Sequence, residues 1–537
     1  MKEETKITPL GGVGQIGSNC TLIQNKGENI LIDCGILFPY EDFFDLNYLI
    51  PDLSSIDFKV NTIIITHGHE DHIGAIHHYI EKFPEAKIYA PLFAKKLIEA
   101  KLEFKKISKK IILFTDPISV ADIRISPLHV NHSIPDTKGL MITNDKTDTA
   151  MLFISDFKVD KTTPYEKPFD FKSVEGLKVN YSRRLAFLDS TNIMSKNRRT
   201  PSESELYDNL KKSIESTTGT TYITSFASNI HRVQTILNIA KELNRVVIPY
   251  GRSMLRYMAT ATEIGELDDN GVVKDADDQS IKRSKIVLLS GSQGEHRGTV
   301  RRVVTRQDKK FKLKPEDKVI FSSKAIPGNE KKLSLLYNTI IEQGAQLLTS
   351  NELLIHASGH PGKDDLKEVY EAFSPTHAFP IHGESLFLKE HISFIKKHSL
   401  SNEATMILNG DSITIGKEIS VSKVKDPKEP VIFHGSDILI EKERLSERRK
   451  MATLGTVIVS CSKESTHKIR PNIEISTLGL PVKADSDIDD FKSYLTDIMR
   501  DNKGRPISDT SEKVRIATRR FFNERLGYRP LAIVHIC

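Results

Sequence analysis

The stretch Thr66-His-Gly-His-Glu-Asp-His-Ile-Gly74 says more about this chain than any other. Six consecutive residues within it include four potential metal ligands: His67, His69, Asp71 and His72. The β-branched, apolar run 61–66 predicts a buried strand before them, and the run 73–80 predicts a helix after them. The ligands therefore fall on a strand-to-helix loop, where imidazole and carboxylate donors can hold two divalent metals side by side. A solvated polar loop is the alternative interpretation.

Further potential ligands follow apolar runs elsewhere in the chain. The residues at such positions are Asp33, His129, His132, Asp156 and His382. A site for two metals needs more donors than one loop supplies, and strand ends converge at one edge of a sheet. Taken singly, each of these residues is equally compatible with a helix cap or a satisfied polar group. Their order after the HxHxDH loop favours one shared site.

That order resembles the metallo-β-lactamase superfamily, in which a strand-end Asp, an HxHxDH loop, a His, a bridging Asp and a late His follow one another. The resemblance implies one metal held by His67, His69 and His132. It implies a second metal held by Asp71, His72 and His382, with Asp156 bridging and Asp33 orienting the loop. It also implies that water between the metals is acidified and acts as the nucleophile.

More than 220 residues separate Asp156 from His382, too many for one loop, so a whole domain must be inserted there. This insertion restricts the resemblance to one group within the superfamily. The superfamily includes β-lactamases, thioesterases, lactonases and nucleases, and such an insertion resembles the β-CASP nucleases. Within that group the chain is similar to the ribonuclease J family. The strings that carry this similarity are His129-Val-Asn-His-Ser-Ile-Pro-Asp136, Ser155-Asp-Phe-Lys158, Asp189-Ser-Thr-Asn192, Ser225-Phe-Ala-Ser-Asn-Ile-His-Arg232, Gly251-Arg-Ser-Met254, Gly291-Ser-Gln-Gly-Glu295, Ile326-Pro-Gly-Asn-Glu330, His356-Ala-Ser-Gly-His360 and His382-Gly-Glu384. One departure follows His360, where the family often has a small polar stretch and this chain has Pro361-Gly-Lys363.

The resemblance assigns substrate contacts to a loop just after the inserted region and to the inserted region itself. The loop that it places on the RNA backbone consists of His356, Ala357, Ser358, Gly359 and His360. Imidazole, hydroxyl and flexible backbone can together donate several hydrogen bonds to a phosphate. His360 is the candidate to protonate the leaving oxygen, which makes Asp71, Asp156 and His360 the expected catalytic residues.

Two further polar positions support this assignment. Asp189 follows the strand-like run 185–188 as an acidic residue beside the site. Ser228 and Asn229 precede a helix-like run and are candidates to hold another phosphate at that helix N-terminus. Plain N-capping of the helix is the alternative for this pair.

The segment Gly12-Val-Gly-Gln-Ile-Gly17 formally matches a dinucleotide-binding GxGxxG motif, with Asp33 about 20 residues further on. That motif must open a helix. Here the residues that follow, 18–33, have the pattern of a strand, a turn and a second strand. We therefore expect a tight turn near the metal site and no nicotinamide cofactor.

Composition agrees with a multidomain cytoplasmic enzyme. The 537 residues are 38% hydrophobic and 28% charged, with a net charge of only +6, so any nucleic-acid surface must be local. The four cysteines lack CxxC spacing and suggest reduced thiols: Cys20, Cys34, Cys461 and Cys537. The N-terminus lacks the apolar core of a signal peptide, and no run reaches the length of a membrane span.

The expected fold class is α/β. We expect a metallo-β-lactamase αββα sandwich interrupted by an α/β β-CASP domain, followed by a small α/β C-terminal domain. The corresponding boundaries are 1–200 and 351–440 for the two parts of the sandwich, 201–350 for the insertion, 441–455 for a linker helix and 456–537 for the C-terminal domain.

The expected function is that of a ribonuclease J-type enzyme, acting as a 5′-to-3′ exonuclease and an endonuclease in rRNA and mRNA maturation and decay. Two divalent metals are expected, zinc by ligand type, with manganese or magnesium able to support activity. Expected partners are RNA with a 5′-monophosphate, a second copy in a homodimer or homotetramer, and RNA-decay or ribosome-associated proteins, with no membrane.

A small-molecule hydrolase and a catalytically silent RNA-binding subunit are the alternatives to this function. For the C-terminal domain, an independent RNA-binding module is the alternative to an oligomerisation domain.

Overall fold

A computed structural model describes residues 4–39, 46–278, 284–296, 298–326, 328–435, 437–461, 472–481, 487–502 and 506–536. The chain forms two compact units. Unit 1 comprises Met1–Tyr40 and Tyr48–Val431, and unit 2 comprises Glu41–Asn47 and Ile432–Cys537. The finer domain boundaries expected from sequence stay a prediction. Among the described residues, no helix is long and apolar enough to cross a membrane.

The first part of unit 1 alternates short strands with helices. Its strands are β1 (Thr5–Gly11), β2 (Val13–Gly14), β3 (Cys20–Asn25), β4 (Glu28–Ile32), β5 (Leu46–Ile50), β6 (Thr62–Ile64), β7 (Lys87–Ala90), β8 (Ile111–Leu113), β9 (Ile118–Val120), β10 (Ile123–His129), β11 (Lys138–Asn144), β12 (Thr149–Ile154) and β13 (Arg183–Leu188). Its helices are α1 (Glu70–Ile73), α2 (Ile76–Lys82), α3 (Leu92–Lys105) and α4 (Phe171–Asn180).

The middle and last parts of unit 1 continue this alternation. The middle part contains β14 (Thr221–Thr224), α5 (Tyr207–Glu215), α6 (Ile230–Glu242), β15 (Val246–Tyr250), α7 (Arg252–Glu263), β16 (Lys285–Leu289), α8 (Thr299–Val304), β17 (Lys318–Phe321), α9 (Glu330–Glu342) and β18 (Gln346–Thr349). The last part contains α10 (Lys363–Phe373), β19 (His377–Ala378), β20 (Gly383–Glu384), α11 (Ser385–Lys397), β21 (Glu403–Ala404), β22 (Ser412–Ile415) and β23 (Ile419–Ser422).

Two sheets pack face to face in the first and last parts of unit 1, which is the expected sandwich. Within the described residues, one sheet has the order β23-β22-β1-β3-β4-β6-β7-β8 and the other β21-β19-β13-β12-β11-β10-β9. Ile30, Ile64 and Phe187 belong to the apolar core between them. On the outer face of the second sheet, α4, α10 and α11 contribute side chains to a second core. The strand ends that carry the polar residues therefore meet at the edge of one sandwich.

The middle part is a separate parallel sheet with the order β15-β16-β14-β17-β18. The chain leaves β14 toward one edge of this sheet and leaves β17 toward the other. Such a point of reversal opens a crevice at the carboxyl ends of β14 and β17, where open α/β sheets bind ligands. The crevice lies beyond Thr224 and Phe321, and side chains such as Tyr222 and Val287 pack into an apolar core against the sheet.

Unit 2 is a small α/β body. Its elements are β24 (Val431–His434), β25 (Ile438–Ile440), α12 (Lys442–Leu454), β26 (Thr456–Cys461), β27 (Ile473–Leu478), α13 (Ile488–Asp501), α14 (Ile507–Leu526) and β28 (Leu531–Ile536). β26 pairs antiparallel with β27 and parallel with β28. Phe491, Val514 and Phe522 pack against one face of this sheet. Cys537 lies outside the described residues.

Two expectations about local structure have different outcomes. The strand, turn and strand expected over 18–33 is confirmed, because β3 and β4 pair antiparallel and no helix follows the glycine-rich turn. The helix expected over 73–80 is observed in two pieces, because α1 ends at Ile73 and α2 begins at Ile76. Gly74 sits at the break, where a Cβ would lie 2.4 Å from the Glu70 carbonyl oxygen.

A pair of phenylalanines tests the packing of the sandwich. Phe187 is 1% exposed and stacks on Phe379 with ring centroids 5.3 Å apart, whereas Phe104 is 85% exposed. We expect Phe187→Ala to lower the free energy of unfolding of unit 1 by about 3–5 kcal/mol, because it leaves a cavity. Phe104→Ala, the control, should change it by less than about 0.5 kcal/mol. Equal chemical denaturation midpoints for the two variants would contradict this packing.

Candidate metal centre

The residues expected from sequence to bind metal lie in one cluster at the strand ends. His67, His69, Asp71 and His72 follow β6, and His132, Asp156 and His382 follow β10, β12 and β19. Their donor atoms form three overlapping groups, each within 4.8 Å: His67, His69 and His132; His67, His72 and Asp156; and Asp71, His72 and His382. The first and third groups match the two ligand sets implied by resemblance, and Asp156 belongs to the second.

Two buried atoms in this cluster have no hydrogen-bond partner among the described residues: Asp156 Oδ2 and His382 Nε2. Asp156 Oδ2 lies 3.0 Å from His72 Nε2. The other ring nitrogen of His72 donates to Asp33, so Nε2 is the atom of His72 that faces the cluster. Several imidazole nitrogens and carboxylate oxygens thus converge in one buried volume, and this donor set fits divalent metals.

Burial keeps several of the imidazoles neutral, which is the form that binds metal. Burial lowers the pKa of His69 to about 4. Burial, reinforced by the charge of His72, also lowers the pKa of His67 well below its usual value, and burial does the same for His132. These three residues make up one of the groups whose donor atoms lie close enough together to hold a metal.

Asp33 holds the metal-binding loop in place from the end of β4. One carboxylate oxygen accepts the Thr66 N–H at 2.8 Å, and the other accepts His72 Nδ1–H at 2.7 Å. The Thr66 hydroxyl donates to the same carboxylate. Asp33 has a φ of 64° and His382 a φ of 50°, a conformation that costs non-glycine residues roughly 1–3 kcal/mol each. Two residues of the site, Asp33 and His382, are therefore held in a strained backbone conformation.

Two other imidazoles are oriented by oxygen acceptors on their Nδ1 atoms. His132 Nδ1 donates to the Gly359 carbonyl at 2.7 Å. His382 Nδ1 donates to Thr191 Oγ1 at 2.9 Å, and the Thr191 hydroxyl donates in turn to the His382 carbonyl. Both contacts place the remaining lone pair on Nε2, the atom that faces the cluster.

The loop 356–360 turns its backbone carbonyls into the protein. The Gly359 carbonyl faces His132, and the His360 carbonyl accepts from Asn192 Nδ2 at 3.1 Å and Thr200 Oγ1 at 2.6 Å. A Cβ on Gly359 would lie 2.6 Å from the His132 ring, so this position requires glycine. The loop is thereby in direct contact with a proposed metal ligand.

The imidazole of His360 lies between the loop and the cluster. Its Nδ1 donates to Asp189 Oδ2 at 2.7 Å, while Asp189 Oδ1 accepts the Thr191 N–H. Burial opposes ionisation of Asp189, but the charge and hydrogen bond of His360 outweigh it and lower the pKa of Asp189 to about 2. Burial also disfavours charge on His360, but Asp189 outweighs it and raises the pKa of that ring above its usual value. His360 therefore readily holds a proton beside the cluster.

Ser228 and Asn229 lie at the carboxyl end of β14, in the crevice of the parallel sheet. Asn229 is the N-cap of α6, and its Oδ1 accepts the Arg232 N–H at 3.0 Å. The capping role considered for this pair is thus observed for Asn229. Two buried atoms near the same strand ends lack hydrogen-bond partners among the described residues, namely Thr224 Oγ1 and His356 Nδ1.

Other residues noted in the sequence lie away from the cluster. His129 points elsewhere and donates from Nε2 to the Lys167 carbonyl at 2.8 Å. Asn19, Thr66 and Thr191 contact the cluster but are not among the residues expected from sequence. Asn19 Nδ2 lies 3.0 Å from His72 Nε2 and donates to the Asp71 carbonyl at 3.2 Å. Thr191 lies within Asp189-Ser-Thr-Asn192, a string that carries the family similarity, so the sequence could have indicated it. Asn19 lies in no such string.

Four family models match the chain in succession. They are "Metallo-beta-lactamase superfamily" over residues 13–155, "Ribonuclease J, beta-CASP domain" over 218–340, "Zn-dependent metallo-hydrolase RNA specificity domain" over 352–400 and "Ribonuclease J C-terminal domain" over 443–537. The models thus cover both parts of the sandwich, the inserted sheet and unit 2.

Similar proteins agree with these models. A Ribonuclease J of Sinorhizobium meliloti is 29% identical, with 99% of this chain and 97% of the relative covered. A Ribonuclease J of Helicobacter pylori strain 26695 is 32% identical, with 89% of this chain and 71% of the relative covered. A crystal structure of a protein of unknown function from Enterococcus faecalis V583 has a TM-score of 0.54 at 13% identity, covering 77% of this chain and 100% of that chain. This last likeness concerns the fold alone.

The contact between Thr191 and His382 predicts an effect on metal affinity. Thr191→Val removes the oxygen that orients the His382 ring, so we expect the affinity for the more weakly held metal to fall about 10–100-fold. Thr191→Ser keeps the oxygen and serves as the control. Titration of each metal-free protein against a chromophoric chelator measures the difference. Equal affinities in the two variants would show that Thr191 does not orient His382.

Proposed function

Because the chain belongs to the ribonuclease J family, we propose that this metal-dependent ribonuclease hydrolyses RNA phosphodiester bonds at a centre of two metals. We propose that it acts both as a 5′-to-3′ exonuclease and as an endonuclease, in rRNA and mRNA maturation and decay. One observation carries the proposal. Asp156 Oδ2 and His382 Nε2, buried atoms without a hydrogen-bond partner among the described residues, lie in the cluster of potential ligands, and the Gly359 carbonyl of the loop 356–360 binds His132 of the same cluster.

The proposed ligands are His67, His69 and His132 for one metal and Asp71, His72 and His382 for the other, with Asp156 shared. When bound, the two metals would supply an acidified water and neutralise charge on the scissile phosphate. Asp33 and Thr191 bind the Nδ1 atoms of His72 and His382, so the Nε2 atoms of both rings would face the metals. Zinc is the metal that these donors favour, and manganese or magnesium are proposed to support activity as well.

The loop 356–360 is proposed to hold the RNA backbone. Three carbonyls at or next to it, those of Ile355, Gly359 and His360, accept hydrogen bonds from inside the protein. Within the loop, the Ser358 hydroxyl accepts the His360 N–H at 3.2 Å, which orients its own O–H as a donor that we propose binds a phosphate. With Nδ1 donating to Asp189, the Nε2 of His360 is the atom that we propose protonates the leaving oxygen.

A terminal phosphate is proposed to lie in the crevice beyond β14 and β17. The Ser228 hydroxyl and the side-chain nitrogen Nδ2 of Asn229 lie at the N-terminus of α6, a position that favours an anion. A pocket that accepts one phosphate and no more would explain a preference for 5′-monophosphate ends. It would also fix which bond lies at the metals.

Unit 2 is proposed to hold copies of the chain together as a homodimer or homotetramer. The sheet face opposite α13 and α14 carries Leu478 and Ile533, which are 59% and 36% exposed, and apolar surface of this kind favours association. RNA-decay or ribosome-associated proteins are the further partners proposed.

The free, buried thiols of Cys20, Cys34 and Cys461 support a reducing compartment, for which we propose the cytoplasm.

The terminal-phosphate proposal is tested with one internally labelled RNA that carries either a 5′-monophosphate or a 5′-triphosphate. With manganese present, we expect mononucleotides to be released faster from the monophosphate form. A chelator or the double variant Asp71→Ala/His72→Ala should abolish release. Internal fragments alone would remove the exonuclease assignment, and an absence of cleavage would overturn the proposed function.

His360 can be separated from the metals by substitution. We expect His360→Ala to retain both metals by elemental analysis and to lose about 10²–10⁴-fold in RNA cleavage, because a positioned proton donor is removed. His398→Ala, at the exposed end of α11, is the control and should cleave RNA like the wild type. Turnover near wild type in His360→Ala would remove this residue from catalysis.

A further inference from the structure

One fully buried arginine lies beneath the loop 356–360. Arg232, in the first turn of α6, is 0% exposed, and its partner Glu203 is 3% exposed. Arg232 Nε and Nη2 donate to the two oxygens of Glu203, each at 2.8 Å. A paired, two-point contact of this kind holds the guanidinium plane in one orientation.

The remaining donor of Arg232 reaches backbone from two other segments. Nη1 donates at 3.1 Å to the Ser322 carbonyl, at the end of β17, and at 3.1 Å to the Ile355 carbonyl. It also contacts the Ser322 hydroxyl, which donates to the same Ile355 carbonyl at 2.6 Å. Ile355 is the residue directly before His356, so this carbonyl is the attachment point of the loop.

These contacts bring together segments that are distant in sequence. Glu203 begins the 3-10 turn Glu203–Leu206, where the chain enters the inserted sheet, and Ile355 lies where the chain leaves it. Arg232 lies in the first turn of α6, the helix after β14, and Ser322 lies directly after β17. One guanidinium therefore joins the entry, the exit and the crevice of the insertion at the base of the substrate loop.

We propose that Arg232, held by Glu203, is a positioning residue that sets the place of the loop 356–360 relative to the metal centre. This inference rests on the proposed function, since the loop is taken to hold the RNA backbone. The far end of the loop is held independently by Asn192 and Thr200, and its middle by His132. Loss of Arg232 therefore removes the group that holds Ser322 and Ile355 together, shifts the end of the loop that carries His356, and leaves the metal ligands in place.

The chemistry of the pair argues against a role in stability alone. Taking a charged pair out of water costs free energy that apolar packing does not, so apolar residues of similar volume often stabilise a protein as well or better. What apolar residues lack is a planar group that donates to a carboxylate and to a carbonyl at the same time. Lysine also lacks such a planar group, because its single nitrogen cannot donate in the paired geometry of a guanidinium.

The test uses two variants and a matched control in the full-length protein. Arg232→Lys keeps the charge opposite Glu203 but loses the fork, and Arg232→Met/Glu203→Leu removes both buried charges together. Arg245→Lys is the control, because Arg245 is also buried in the inserted sheet and donates to the backbone carbonyls of Glu215 and Thr217, away from the loop. Thermal midpoint, metal content, and kcat and KM on a 5′-monophosphorylated RNA are measured for each.

We expect the double variant to keep its thermal midpoint and both metals while kcat/KM falls about 100-fold, because small misplacements of a positioning group have effects of that size. Arg232→Lys should show the same loss, with KM raised, and Arg245→Lys should not. Wild-type kcat/KM in either Arg232 variant that folds would overturn the inference. Failure of the wild type itself to cleave RNA would instead overturn the proposed function, and the inference with it.

Discussion

The burial of Asp156 is the constraint on which the rest of the site depends. Its carboxylate is 2% exposed, and one oxygen has no hydrogen-bond partner among the described residues. An ionised carboxylate in such a place is stable only when positive charge surrounds it. The neighbouring imidazoles are aimed at it by Asp33, Gly359 and Thr191, so their free nitrogens converge on the same small volume. Divalent metals satisfy all of these donors at once, which explains why so many polar groups share one buried site.

The loop 356–360, which follows the inserted sheet, contacts the same site. Its Gly359 carbonyl accepts a hydrogen bond from His132, and its His360 ring donates one to Asp189. The proposed metal ligands and the proposed substrate loop are therefore joined by one continuous set of hydrogen bonds. Arg232 and Glu203 extend that set to the point where the insertion begins. The insertion is thus connected to the site through the segment by which the chain leaves it.

Much of this arrangement could be predicted from sequence, because the ligands occur at strand ends in a recognisable order. The fold class and the family follow from that order and from the length of the insertion. The orienting contacts could not be predicted, since they join residues far apart in the chain, such as Thr191 with His382 and Arg232 with Ile355. The break between α1 and α2 is not visible in the periodicity, because Gly74 lies close to the Glu70 carbonyl and to Ile36, which is distant in the chain.

The most direct test of the account is a titration of the metal-free protein with the metal that restores RNA cleavage. Cleavage rate is measured against metal equivalents per chain. Because Asp156 is placed to serve both ligand sets, the account predicts that the rate rises to a plateau at two equivalents. A plateau at one equivalent, with full activity, would contradict the assignment of a shared two-metal centre.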